Sequence, residues 1–245
     1  MKKLLIALVA LVPSLVFASG AAVHLDKAHY DLSDKASLQN GAKLFMNYCS
    51  ACHATAHQRY QRVATDLGIP EELMKESLIF TDSKIGELMK NSMDKKDAAK
   101  WFGNSPLDLT LEARVRGADW IYTYLRSFYK DPTRPFGVNN VVFKDVGMPH
   151  VLEELQGIPT ATFKTEIDEH GVEHTSVVSL ESDEGGEMSS DEYDEAVLDL
   201  VNFLVYSGEP NKLERQNLGF WVIGFLIILF VLSYFLKKEY WRDIH

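Results

Sequence analysis

The chain has 245 residues, 35 of them acidic against 25 basic, and a formal net charge of −10. That sign excludes nucleic acid as a partner class, because phosphate backbones select basic surfaces. Two cysteines exclude a disulfide-stapled scaffold, and the length allows one or two domains.

The N-terminus reads Met1-Lys2-Lys3 and then an apolar run from Leu4 to Phe17. A short basic start, an apolar core and the small residue Ala18 predict a secretory signal peptide cleaved after Ala18. The run is shorter than the roughly 20 residues a membrane span needs. Residues 35–48 read as a helix, with Ser37 as a plausible N-cap and Leu38, Ala42 and Phe45 on one face. Residues 70–100 read as charged surface helices opening at Pro70-Glu71-Glu72. Helical, aromatic-rich sequence over 111–129 is broken near Gly117, and residues 131–150 read as a long structured loop. Alternation over 160–180 around His170-Gly171 predicts a β-hairpin. Ser189-Ser190-Asp191-Glu192 has capping-box spacing and opens a helix that Gly208 and Pro210 end.

From Asn217 to Leu236 the chain carries no charge and no polar stripe, which predicts a transmembrane helix. Trp221 and Tyr234 stand near its ends, with Lys237, Lys238 and Arg242 following. The positive-inside rule places that tail in the cytoplasm and the main body outside. Charge is also uneven within the body. Between Lys164 and Lys212 there is no Lys or Arg but 14 Asp or Glu. Such a surface is either simply solvated or a docking face for a basic partner.

The chemistry-bearing motif is Cys49-Ser50-Ala51-Cys52-His53. Two thiols at C-x-x-C spacing can add to the two vinyl groups on one porphyrin edge. His53, next in line, can then reach the iron as proximal ligand. A thioredoxin-like pair is disfavoured because the motif follows a helix rather than a strand, and a zinc site would need distant histidines. For the second axial ligand, Met148 in Gly147-Met148-Pro149-His150 competes with His150 and His57. Pro149 biases Met148 towards extended backbone, and methionine ligation favours electron transfer. Arg114 and Arg116 are candidate donors to the haem propionates. Trp101, Phe102, Trp120, Tyr122 and Tyr124 are candidate walls of a haem pocket, or simply core.

Several stretches together resemble the cytochrome c1 family, the haem subunit of the ubiquinol–cytochrome c reductase complex, in its proteobacterial form. They are Leu25 to Ala28, Asp34 to Ala42, Cys49 to His53, Arg116 to Arg126, Gly147 to Pro149 and Val201 to Tyr206 before Glu209-Pro210. The single C-terminal span completes the order. The resemblance implies a mostly α fold, a class I cytochrome c-like haem domain with insertions, one of them the β-hairpin. It implies one covalent haem c held by Cys49 and Cys52, His53 and Met148 as iron ligands, and Arg114 and Trp120 near the propionates. Trp120 stands where many members have tyrosine, and the usual Pro-Pro-Asp-Leu loop reads Pro106-Leu107-Asp108-Leu109.

The expected organisation is a signal peptide at 1–18, a periplasmic haem domain at 19–209, and an anchor with a short tail at 210–245. The expected partners are cytochrome b, a Rieske iron–sulfur protein and a soluble or tethered cytochrome c, at the inner membrane. The chain would be the electron carrier of the reductase rather than a bond-making catalyst. Three alternatives stand beside this: a free-standing anchored cytochrome c serving a terminal oxidase, a haem enzyme or gas sensor with open iron, and a haem-free thiol oxidoreductase.

Overall fold

The computed structural model describes residues 23–167, 173–181 and 185–242. The expected signal peptide and the His170-Gly171 turn lie outside them. The first helix, α1 (Lys35–Leu44), is capped by Asp34, three residues before the expected cap Ser37. The Asp34 carboxylate accepts from the Ser37 amide at 3.1 Å, which frees the Ser37 hydroxyl to donate to Asp199 at 2.5 Å. The helix then widens into a π-turn, Phe45–Cys49, closed by the Ser50 amide on the Phe45 carbonyl at 2.9 Å.

Strand β1 (Thr55–Arg59) pairs antiparallel with β2 (Leu88–Met89) around helices α2 (Tyr60–Leu67) and α3 (Glu71–Ser77). The predicted run of surface helices over 70–100 is therefore only partly helical. Met74 and Met89 are buried core residues, and α4 (Lys95–Phe102) follows. The short α5 (Glu112–Val115) and α6 (Ala118–Arg126) are separated by Gly117, whose φ of 90° suits glycine alone. The predicted loop at 131–150 contains strand β4 (Val138–Asn140), which pairs with β3 (Phe128–Lys130). After α7 (Glu153–Gln156), the predicted hairpin is present as β5 (Thr160–Ile167) against β6 (Glu173–Glu181).

Helix α8 (Ser190–Gly208) opens on the predicted capping box, both of whose hydrogen bonds are formed. It crosses α1 at Gly41, where a Cβ would stand 2.0 Å from the Asp199 carbonyl oxygen and 2.9 Å from the Phe203 Cβ. Only glycine lets the backbones approach so closely. Phe45 and Phe203 meet beside this crossing with centroids 5.4 Å apart. A polar clasp fixes its register: Asn40 and Ser37 both bond Asp199, and Asn202 bonds the Ser37 hydroxyl and the Asp31 amide. Among the described residues the chain is thus mostly helical, with three two-stranded sheets. The last helix, α9 (Lys212–Tyr240), encloses the predicted span at 217–236 and buries none of its residues.

Candidate haem site

The π-turn sets Cys49 against the core, 7% exposed, and the next turn brings the Cys52 and His53 amides onto the Cys49 carbonyl at 3.1 and 2.8 Å. Single π-turns in α-helices are frequent at functional sites. Neither cysteine is in a disulfide. Burial, with Cys52 as neighbour, pushes the Cys49 thiol up to about 12, so it keeps its proton at neutral pH. The Asn91 side chain, which no sequence motif singles out, donates to the Cys52 carbonyl at 2.5 Å.

His53 is positioned by the loop at 106–110. Its Nδ1 lies 2.7 Å from the Leu107 carbonyl oxygen. A carbonyl only accepts, so Nδ1 carries the proton and the Nε2 lone pair is left to bind a metal. Burial lowers the His53 pKa, outweighing the Leu107 bond that raises it, and keeps the ring neutral, as ligation requires. The loop itself is pinned to the strand after the motif. The Leu109 amide donates to the Ala54 carbonyl, and the Asp108 carboxylate accepts from the Ala56 and Thr110 amides. Burial alone would raise the Asp108 carboxyl, but these bonds outweigh it and leave its pKa below the ordinary value. A cavity of about 360 Å³ lies between the two segments, bounded by Cys52, Ala54, Met93, Pro106 and Leu107.

Met148 is half-buried and is met by Tyr124, whose hydroxyl donates to the sulfur at 3.4 Å. Burial raises the Tyr124 pKa, so the phenol stays a neutral donor. Tyr124 stacks on Trp120 at 4.9 Å and 11°, and the Arg116 guanidinium lies over the other member of that stack, 4.4 Å from the Trp120 centroid. Trp120, Tyr124, Met148 and Arg116 thus form one connected group. Among the described residues Arg114 makes no hydrogen bond or ring contact with that group: its side chain packs on Gly208 and lines a cavity with Tyr30 and Lys212.

The two rival histidines separate clearly. His57 is exposed. His150 is 3% exposed and stacked on Phe128 at 4.8 Å, and burial lowers its pKa to about 4. Trp101 is 63% exposed, on the outside of α4, and packs edge-on against Phe102. The Phe102 ring packs against Phe136 with centroids 6.0 Å apart, and its backbone carbonyl lies 3.6 Å from where a Gly147 Cβ would stand.

The donor set fits covalent haem. It offers two unpaired thiols, a neutral imidazole with its tautomer fixed, and a thioether with one hydrogen bond. The same residues do not fit the zinc alternative, since no group of three His, Cys, Asp or Glu among the described residues is placed to hold a metal ion. The thiol-oxidoreductase alternative lacks its strand, because the motif leaves a helix.

Comparison with known proteins points the same way. The profile of the Cytochrome C1 family matches residues 26–244. A cytochrome c1 from Allochromatium vinosum is 51% identical over the whole of both chains. A protein named ammonia monooxygenase gamma subunit, from Nitrosomonas europaea, is 46% identical over 100% of this chain and 99% of its own length. The cytochrome c1 of Rhodospirillum rubrum is 26% identical over 86% of this chain and 83% of its own. Attachment motif, C-terminal apolar helix and full-length similarity agree: the chain belongs to the cytochrome c1 family, membrane-anchored electron-transfer proteins with a covalently bound haem c.

Proposed function

We propose that this chain is the cytochrome c1 subunit of a ubiquinol–cytochrome c reductase, accepting electrons from an iron–sulfur protein and passing them to a cytochrome c. The observation that carries this is the His53–Leu107 bond beside two free thiols, because it prepares an imidazole nitrogen for iron at the attachment motif. The haem, when bound, supplies a one-electron iron couple. Every other task belongs to the protein.

In this reading Cys49 and Cys52 form the thioether links, His53 is the proximal ligand and Met148 the distal one. Tyr124 orients the Met148 sulfur, and Trp120 with Tyr124 excludes water from that face. Arg116, rather than the Arg114 that the resemblance suggests, is the cation beside Trp120 and the partner for a propionate. The α1–α8 crossing at Gly41 supports a class I cytochrome c-like arrangement around the haem. The domain begins after a signal peptide at 1–18, lies in the periplasm over 19–209 and is tethered by 210–245, with the tail in the cytoplasm. The name of the Nitrosomonas relative does not redirect this reading, because the haem-binding set assigned here is complete without a second catalytic centre.

The test is co-purification. Full-length protein tagged at its C-terminus and extracted in mild detergent brings down a cytochrome b and an iron–sulfur protein in fixed ratio. Recovery of the haem protein alone, still able to reduce a terminal oxidase, would favour the free-standing anchored cytochrome instead.

A further inference from the structure

Met148 is carried by the loop that leaves strand β4 at Asn140. Asp145, shortly before it, has a φ of 61° and is the one non-glycine in the left-handed region among the described residues. Aspartate tolerates that region better than most side chains, but such a backbone persists only where its surroundings over-determine it. Two side chains do so here. The Asn139 Oδ1 accepts from the Asp145 amide at 2.8 Å and from the Asn140 amide at 2.9 Å, while its Nδ2 donates to Asp131 at 2.9 Å. The Arg134 Nη2 donates to the Asp145 carbonyl at 2.8 Å, and its Nη1 pairs with the Asp145 carboxylate at 3.3 Å. Amide, carbonyl and carboxylate of Asp145 are therefore all held.

Asn140, buried at 1% exposure, works at the other end of the loop. Its Oδ1 accepts from the Val142 and Phe143 amides at 2.9 and 3.1 Å and from the Ser127 hydroxyl at 3.3 Å. Its Nδ2 donates to the Tyr124 carbonyl at 2.8 Å, and Tyr124 is the residue whose hydroxyl meets the Met148 sulfur. One asparagine thus ties the loop to the helix residue that grips its thioether. All these bonds join protein to protein, so the chain itself sets the shape of the loop. That matters because a thioether is a soft, neutral donor and competes poorly with nitrogen ligands for oxidised iron. Preorganisation is what favours it, since a held ligand loses little freedom on binding. We propose that Asn139, Asn140 and Arg134 are positioning residues for the distal ligand, holding Met148 so that exogenous nitrogen ligands do not displace it from oxidised iron. The inference rests on the reading of Met148 as distal ligand and adds the residues that keep it in place.

The experiment uses haem-loaded, full-length protein in detergent, oxidised and titrated with imidazole, with the shift of the haem absorption bands as readout. Met148→Leu gives the affinity of iron without its thioether. Asn139→Ala and Asn140→Leu should bind imidazole about tenfold or more tighter than wild type, because each releases the loop from several hydrogen bonds at once. Arg134→Met should move the same way, and Arg134→Lys should stay near wild type. Arg134 is partly exposed, so its two variants carry the test if an asparagine variant fails to fold. Ser189→Ala, which weakens the capping box of α8 away from the loop, is the control for general stability and should bind imidazole as wild type does. Loop variants that bind imidazole no tighter than wild type, beside a Met148→Leu that does, would overturn the proposal alone. So would an equal gain in Ser189→Ala, which would mark a loss of stability rather than of positioning. A Met148→Leu that binds no tighter than wild type would instead overturn the reading of Met148 as ligand, and the inference with it.

Discussion

The hydroxyl of Tyr124 and the sulfur of Met148 are the pair on which the electronic properties of the proposed site turn. A hydrogen bond draws electron density from the thioether and makes it a weaker donor to oxidised iron. Tyr124→Phe should therefore lower the reduction potential. A neutral hydrogen bond of about 0.5–1.5 kcal/mol corresponds to at most about 20–60 mV for one electron, and redox titration measures it. An unchanged potential would show that the contact is packing only. Arg116 makes a second residue-scale prediction. Arg116→Gln should shift the potential more than Arg114→Gln, because only Arg116 lies over Trp120. At this scale a motif with fixed spacing, Cys49, Cys52 and His53, is readable in the sequence itself, and the proposed attachment of haem rests on it. The sequence was not legible where a role depends on which side of a one-turn helix a residue faces. Arg114 and Arg116 are two apart on α5 and its end, so they point to different neighbours, and no pattern in the sequence says which side holds Trp120. Asn91 was silent for a similar reason: it lies in irregular backbone, and only the tertiary fold brings it to Cys52.

Among the elements, the α1–α8 crossing carries most of the domain's order. Gly41→Ala would drive a methyl into the Asp199 carbonyl at 2.0 Å. The helices must separate, which should destabilise the domain by about 3 kcal/mol or more, at the upper end of overpacking costs. Thermal unfolding in detergent reads this directly, and a loss below 1 kcal/mol would mean that the crossing is looser than described. Ser189→Ala removes the capping box of α8 and should cost about 1 kcal/mol. Asp119, in the first turn of α6, ties down the N-terminal segment by accepting from Lys27 and from the Ala28 amide. The Lys27 bond first, then the Ala28 amide, hold its pKa below the ordinary carboxyl value. Its contribution is therefore present above the unfolded carboxyl range and is lost as pH falls through the lower folded value. Asp119→Asn should weaken the protein at pH 7 and leave little difference from wild type at strongly acid pH. Helix periodicity and the Ser189 box were readable because each is local. The cap of α1 was misread because Ser37 and Asp34 both suit a helix start, and the choice is made by Asp199 on α8, more than 150 residues away. Strand β4 was hidden for the same reason, since its partner β3 supplies what three residues cannot.

For the whole molecule, charge and anchoring set the terms of encounter. The net charge of −10 and the long stretch without Lys or Arg before Lys212 favour a cationic partner. Electron transfer to a basic cytochrome c should therefore slow steeply as ionic strength rises, because the Debye length shrinks from about 10 Å at 0.1 M to about 3 Å at 1 M. A rate indifferent to salt would remove the acidic face as a docking surface. The apolar C-terminal helix was fully legible in the sequence, since length and absence of charge are one-dimensional properties. The cavity at its root was not, because Tyr30, Arg114 and Lys212 meet only through the fold.

The most direct measurement is the optical spectrum and midpoint potential of the full-length membrane protein beside Met148→Leu. The wild type should show a six-coordinate low-spin haem that does not bind carbon monoxide when reduced. Met148→Leu should lose that ligation, fall in potential and bind carbon monoxide. A wild type that already binds carbon monoxide, or a variant with unchanged spectrum and potential, would contradict the account by showing that Met148 does not hold the iron.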